Sequence, residues 1–229
     1  ESVDAERFKT EVLGNPERTI LGVEQEQWLA NQLAASKARG ATWQVIGQQV
    51  LMGEIRFPKV PQELLEALDV PEYSRAWIME INPLAKFDMP WNLDAWNGYI
   101  SCRNRIYEVF MALANNPVVL AGDTHNAWAF NLSNNQGQAV GIEIGCPGIS
   151  SPGLETFLPL PSDVLTAALM ESSPQLFAVD TSQRGWAEVT LTPEATMSQW
   201  HFVSTVLDRD FTVIDGEQML CKAGDRRFI

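Results

Sequence analysis

The chain has 229 residues, 45% of them hydrophobic, enough to bury a sizeable core and too apolar to stay disordered. Its formal net charge is −13 with no Lys/Arg cluster, which argues against a nucleic acid as a bulk partner. No apolar run is long enough to cross a bilayer. Cys102, Cys146 and Cys221 lie too far apart for a zinc or thioredoxin-type motif.

Spacing predicts a short helix over 4–13, closed by Gly14-Asn15-Pro16. A second follows over 23–37, with Gln25, Trp28, Leu29 and Leu33 on one face and Gly40 past its end. Residues 43–51 read as a strand with Gln48-Gln49 near its carboxyl end. The stretch 54–93 is punctuated by Pro58, Pro61, Pro71, Pro83 and Pro90 and holds two short helical pieces, near 62–69 and 72–81. It is expected to be a cap over a cleft or a plain surface insertion.

The clearest helix runs over 99–114. Tyr99, Cys102, Ile106, Val109, Phe110 and Leu113 form its apolar stripe, with Arg103, Arg105 and Glu108 elsewhere on the circumference. It leads into an apolar strand over 117–121, and a strand–helix–strand crossover of this kind places the two strands parallel. Beyond Gly122 the pattern turns to β: a strand over 138–144, the turn-rich stretch 146–153, and strands near 176–180, 186–192 and 199–207. A helix over 162–170 is expected among them, with Ser162 as N-cap. In the last strands Ala187, Val189 and Leu191 alternate with polar residues. Trp200 and Phe202 oppose Gln199 and His201, which puts His201 on a polar sheet surface.

Two polar groups, Asp123 and His125, emerge just past the strand over 117–121, where open α/β sheets carry their ligands. A carboxylate and an imidazole within reach of one point are natural ligands for a borderline or harder cation. The same residues also have a structural use, with Asp123 closing a turn and His125 satisfied within the fold. A metal site needs three or more ligands, and spacing brings only two into view.

Several blocks in order carry a family likeness. They are Arg18-Thr19-Ile20-Leu21-Gly22 running into Glu24-Gln25-Glu26-Gln27-Trp28-Leu29, then Trp43-Gln44-Val45-Ile46-Gly47-Gln48-Gln49-Val50. Asp94-Ala95-Trp96-Asn97-Gly98-Tyr99 follows, with Arg103 just beyond. Gly122-Asp123-Thr124-His125-Asn126-Ala127-Trp128, Glu143 and Gly148-Ile149-Ser150-Ser151-Pro152-Gly153 complete the set. Together they resemble the C-terminal half of the PhoD-like alkaline phosphatases, a branch of the calcineurin-like metallophosphoesterases.

The resemblance implies an α/β fold: part of a two-sheet α/β/β/α sandwich with a mixed sheet and C-terminal antiparallel strands. Residues 1–229 would be the C-terminal part of one such domain, hydrolysing phosphate mono- or diesters. It further implies two metal ions in the complete enzyme, with iron, calcium, zinc and manganese not distinguished. Asp123 and His125 match the family's ligand block, and Asn126, Asp94 and Arg103 are substrate-binding candidates. For Asp94, Trp96, Tyr99 and Arg103 a structural role is the alternative, with Asp94 as a helix cap. A secreted or periplasmic location is implied as well.

The family's earlier ligand blocks have no counterpart here, and the chain holds only His125 and His201. The chain is therefore expected to supply one side of a metal site. Its partner would be the missing N-terminal half of the domain, or a second copy. The opening Glu1-Ser2-Val3-Asp4, without Met or a signal pattern, is read as an internal position of a longer polypeptide. The rival expectation is a non-catalytic module that keeps the phosphoesterase scaffold.

Overall fold

The computed structural model describes residues 4–158 and 160–229. A short helix α1 (Ala5–Arg7) widens into a π-helical turn over Phe8–Leu13. The Gly14 N–H there reaches back to the Lys9 carbonyl, 2.8 Å away. Helix α2 (Val23–Ala38) and strand β1 (Gln44–Gly47) follow, then helices α3 (Gln62–Ala67) and α4 (Glu72–Ala85). A 3₁₀ turn at Trp96–Gly98 leads into α5 (Ile100–Leu113) and strand β2 (Pro117–Ala121).

The second half holds β3 (Ala127–Ser133), β4 (Ala139–Gly145), α6 (Leu154–Phe157), α7 (Ser162–Ser172) and β5 (Leu176–Asp180). It closes with β6 (Arg184–Leu191), β7 (Ala195–Val203) and β8 (Val213–Lys222).

Five strands form one mixed sheet in the order β1-β2-β4-β3-β5, and β6-β7-β8 form a second, antiparallel sheet. The expected crossover is present: β1 lies parallel to β2, with Val45 opposite Val118. Helices cover one face of the mixed sheet. Leu33 of α2, Ile106 and Phe110 of α5, and Leu169 of α7 pack with Val119, Phe130, Leu132 and Val140 of the sheet. On the other face Val118, Ala129, Ile142 and Ile144 meet Trp200, Phe202, Met219 and Cys221 of the antiparallel sheet. The order of layers is thus helices, mixed sheet, antiparallel sheet, the α/β/β portion of the expected sandwich.

Several expectations need correction. The strand predicted over 43–51 stops at Gly47, because residues 48–53 peel away from the sheet to meet a buried carboxylate on β4. In α2 it is Glu26, Leu29 and Leu33 that turn toward α5, where Glu26 pairs with Arg105 at 2.7 Å. Trp28 is rotated away from that contact and stands 58% exposed. Helix α7 is preceded by Pro161 with no side-chain cap, and the Ser162 hydroxyl instead meets Thr181 Oγ1 at 3.2 Å. Strands β3 and β8 were not anticipated, and β7 begins four residues earlier than its predicted start at 199. Beside these corrections, the segment 54–93 is seen to pack into the main core through Ile55, Leu65, Val70 and Ile78.

Strand β3 is the element on which both faces close. Phe130, fully buried, stacks on Trp128 at 6.2 Å between ring centroids. Its ring lies so near Gly53 that a Cβ there would come within 2.3 Å of Phe130 Cγ. Phe130→Ala is expected to cost about 3–5 kcal/mol of stability, with the midpoint of chemical unfolding as the measurement. A loss under about 1 kcal/mol would show that this packing is not what holds β3 and the 48–53 loop together.

Candidate functional site

Strand β2 ends at Ala121, and the Gly122 N–H donates to the Gln49 carbonyl at 3.0 Å, so the loops after β1 and β2 are tied at the sheet's carboxyl edge. Asp123 and His125 follow with φ of 66° and 59°. Both sit in the left-handed region that Asp and His enter more readily than most residues. Two such residues in three positions store backbone strain of a kind that gathers at functional sites.

The His125 ring is oriented by its neighbour. Nδ1 lies 2.8 Å from the Pro152 carbonyl, which can only accept, so Nδ1 carries a proton and, in the neutral ring, the lone pair is on Nε2. That is the tautomer a metal-ligating histidine needs, with its other nitrogen fixed by a carbonyl.

The main chain of His125 is pinned from the loop after β4 and from the second sheet. Its carbonyl accepts from the Gly148 N–H at 3.0 Å and from Arg184 Nη1 at 2.9 Å. Arg184 is buried and pairs through Nη2 with Glu155 Oε1. Burial pushes the Glu155 carboxyl up, but the Arg184 guanidinium and the Gly153 N–H hold it below its ordinary value.

Gly153 passes directly over Asn126. A Cβ at that position would come within 2.6 Å of Arg184 Nη2 and 2.7 Å of Asn126 Nδ2, so any side chain there would have to displace the Arg184 guanidinium or the Asn126 amide. Asn126 is fully buried, with Oδ1 accepting from the Leu154 N–H at 2.8 Å. Asn126 Nδ2, Thr124 Oγ1 and Trp128 Nε1 have no hydrogen-bond partner among the described residues.

Glu143 organises the other wall. It is fully buried on β4, with Oε1 accepting from the Met52 N–H and Oε2 from the Gly53 N–H, both at 2.7 Å. Gln48, which reaches Glu143 Oε1 at 3.4 Å, accepts from Trp96 Nε1 at 2.6 Å. Asn97 Nδ2 donates to the Gly53 carbonyl at 3.1 Å, and Arg103 Nη1 donates to Asn97 Oδ1 at 2.6 Å.

Residues Asp123, His125 and Asn126 come together on one cavity of about 350 Å³. Asp94 and Arg103 do not line it. Arg103, predicted away from the apolar stripe, is 5% exposed, and its guanidinium lies 5.9 Å from the Tyr107 ring. It touches the cavity only through Asn97, which lines it. Asp94 is exposed, and neither the 3₁₀ turn nor α5 has a side-chain cap, so its expected capping role is not seen. Sequence spacing missed Trp91, Asn92 and Asn97 as cavity residues, and Glu143 as a hub. A lone acid in the apolar run Gly141-Ile142-Glu143-Ile144 is the signal that could have found it, since a buried carboxylate must be partnered. His201 lies on the outer face of the second sheet, 2.8 Å from Asp215 Oδ1 and stacked on Trp186.

The donor set at the cavity edge fits part of a metal site. Asp123 and His125 offer oxygen and nitrogen donors, and the Nε2 lone pair is available. Among the described residues no three or more His, Cys, Asp or Glu side chains converge as a metal centre requires.

The model of the PhoD-like phosphatase family matches residues 2–200. Alkaline phosphatase D of Bacillus subtilis (strain 168) is 35% identical over 119 residues, which is 52% of this chain and 15% of that protein. A solved structure of PhoD superposes on all of this chain and on 37% of its own, with a TM-score of 0.67 and 22% identity, a likeness of fold. The chain thus spans well under half the length of these relatives.

Burial raises the Glu143 carboxyl to about 7, against the lowering effect of the Met52 and Gly53 N–H groups, Gln48 and Arg103. Between its unfolded value of 4.5 and its folded value of about 7, the folded chain keeps a proton that the unfolded chain has lost. Stability therefore falls as pH rises through that window, by about 3 kcal/mol in full, and is flat above it. Glu143→Gln should remove that slope, read as the difference between urea unfolding free energies at pH 5 and pH 8. Equal slopes in the two proteins would mean that Glu143 does not titrate there.

Proposed function

The chain belongs to the PhoD-like phosphatase family, and from that premise we propose that it takes part in metal-dependent hydrolysis of phosphate mono- or diesters, supplying Asp123 and His125 as ligands on one side of the metal site. The observation that carries this reading is the His125–Pro152 hydrogen bond, which sets the neutral ring in the tautomer that turns the Nε2 lone pair to a metal, beside an aspartate in a cavity. The remaining ligands come from outside these 229 residues, in a preceding N-terminal portion. In support, the chain matches only 37% of the solved PhoD chain, and two donors fall short of the ligand number a metal centre needs.

When bound, a pair of cations lowers the pKa of a bound water and polarises the phosphoryl oxygens. The residues of this chain then have separate tasks. Asp123 contributes negative charge, and His125 contributes a nitrogen held in one tautomer by Pro152. Asn126, whose Nδ2 is unpaired, lies beside them as a donor for a phosphoryl oxygen. Arg184 and Glu155 hold the His125 main chain and so position the ring. Arg103 acts at one remove, by fixing Asn97. Residues 54–93 cap the site through Ile55, Trp91 and Asn92.

A second reading, a scaffold that binds partners without catalysis, is favoured for the isolated chain by the absence of a third converging metal-type side chain among the described residues. The two are separated by one comparison. The 229-residue chain should hold little metal by elemental analysis and turn over no aryl phosphate, whereas the N-terminally extended polypeptide should do both. In the extended protein Asp123→Asn and His125→Ala should each cut turnover beyond the roughly 10–100-fold that losing an outer hydrogen-bond partner costs, with the thermal midpoint unchanged. His201→Ala should leave turnover intact. Full metal occupancy in His125→Ala, or tight metal and turnover in the 229-residue chain, would refute the shared-site reading.

A further inference from the structure

The cavity beside Asp123 and His125 has two chemically different ends. One carries the polar side chains of Asp123, His125 and Asn126, and the other is walled by Val50, Leu51, Ile55, Trp91, Trp128 and Leu169. Its volume of about 350 Å³ is within the range of small-molecule sites. The apolar end does not stop at that wall. Trp91, Leu154 and Phe157 are shared with an adjoining hollow of about 540 Å³, whose outer side is formed by Tyr73 and Trp77. Tyr73 is 62% and Phe157 73% exposed, so an apolar track runs from the candidate ligands to an aromatic rim at the surface. Trp77 meets Trp91 edge-on at 5.7 Å, which keeps the track's side wall in place.

A polar phosphoryl site opening into an apolar track suits a substrate of matching polarity. The geometry points to a specificity subsite: the ester taken by this protein carries an extended apolar arm, alkyl or aryl, that lies along Leu51, Ile55 and Trp91 and emerges between Tyr73 and Phe157. The inference rests on the phosphoester function proposed above. It adds the class of group on the far side of the ester oxygen. The alternative occupant, another stretch of polypeptide packed into the track, is an outcome of the test.

The first measurement needs neither metal nor turnover. Binding of primary alcohols from 1-butanol to 1-octanol, and of 4-phenyl-1-butanol, to the 229-residue chain is followed by the tryptophan indole N–H resonances. Affinity should rise roughly fourfold per methylene while the chain still fits. A gain for the phenyl probe over alkyl probes of similar length assigns an aryl arm, and the reverse assigns an alkyl arm. Ala95→Phe, which fills the cavity, should abolish the gain. Phe157→Ala, at an exposed position where folding is not at stake, should weaken only the longest probes.

The second measurement compares kcat/KM for the phosphate esters of the same alcohols in the extended, metal-loaded protein. Their leaving groups are nearly equal, so a rise with chain length reads the subsite. A flat series in binding, unchanged affinity in Ala95→Phe, or probes that bind the 229-residue chain but not the extended protein would each overturn the proposal. Equal turnover of the butyl and octyl esters would overturn it too, while leaving the phosphoesterase function standing. Length-dependent binding without any ester turnover would instead remove the phosphoesterase function and keep the track's preference for apolar groups.

Discussion

The carboxylate of Glu143 is the group on which the site's framework depends. It lies inside the mixed sheet, and its two oxygens take the N–H groups of Met52 and Gly53. Residues 48–53 leave the edge strand and would otherwise bring unpaired main-chain groups into the core, at the cost that buried unsatisfied groups carry. One side chain answers both donors. Because that loop is held, Leu51 forms the cavity wall and Gly53 lies against the Phe130 ring. Asn97 of the 3₁₀ turn and Arg103 of α5 then close the same network. A single acid on β4 thus fixes a loop, a helix and a cavity wall together.

The other side of the site is held by charge from the second sheet. Arg184 opens β6, yet its guanidinium reaches back to the His125 carbonyl and to Glu155. The antiparallel sheet is therefore more than a cover for the apolar face of the mixed sheet. It sets the main chain at His125, while the Pro152 carbonyl sets that residue's ring. Left-handed backbone at Asp123 and His125 is tolerable because so many contacts over-determine it.

Much of this was legible in the sequence where local pattern and burial agree. The apolar run ending at Gly122 made β2 plain, and the helix before it made the parallel crossover plain. Asp123 and His125 stood out because they follow the carboxyl end of a buried strand, where open α/β sheets carry their ligands. Strand β3 was not legible, because Ala127-Trp128-Ala129-Phe130 is buried on both faces between β4 and β5 and so lacks the alternation that marks a half-exposed strand. Strand β8 is hidden by Gly216 and by a register shift opposite Gln199 and His201. Arg103 was misplaced for a related reason: helix periodicity assigns charged residues to solvent, and only the fold reveals a buried acceptor such as Asn97.

Electrostatics draws the two halves of the functional proposal together. The chain carries −13 overall, and no Lys or Arg lines the cavity among the described residues. The guanidinium groups of Arg103 and Arg184 are already committed to Asn97, His125 and Glu155. An anionic phosphate ester would therefore meet a repulsive field from the protein alone. Under the proposed function the attraction must come from cations held at Asp123 and His125, since those residues recruit positive charge and do not supply it. Within this chain, affinity that does not depend on those cations would come from the Asn126 amide and from the burial of apolar surface along Leu51, Ile55 and Trp91. Under the two proposals such a site would separate its tasks: the polar end would decide where the phosphoryl group sits, and the apolar end which ester stays.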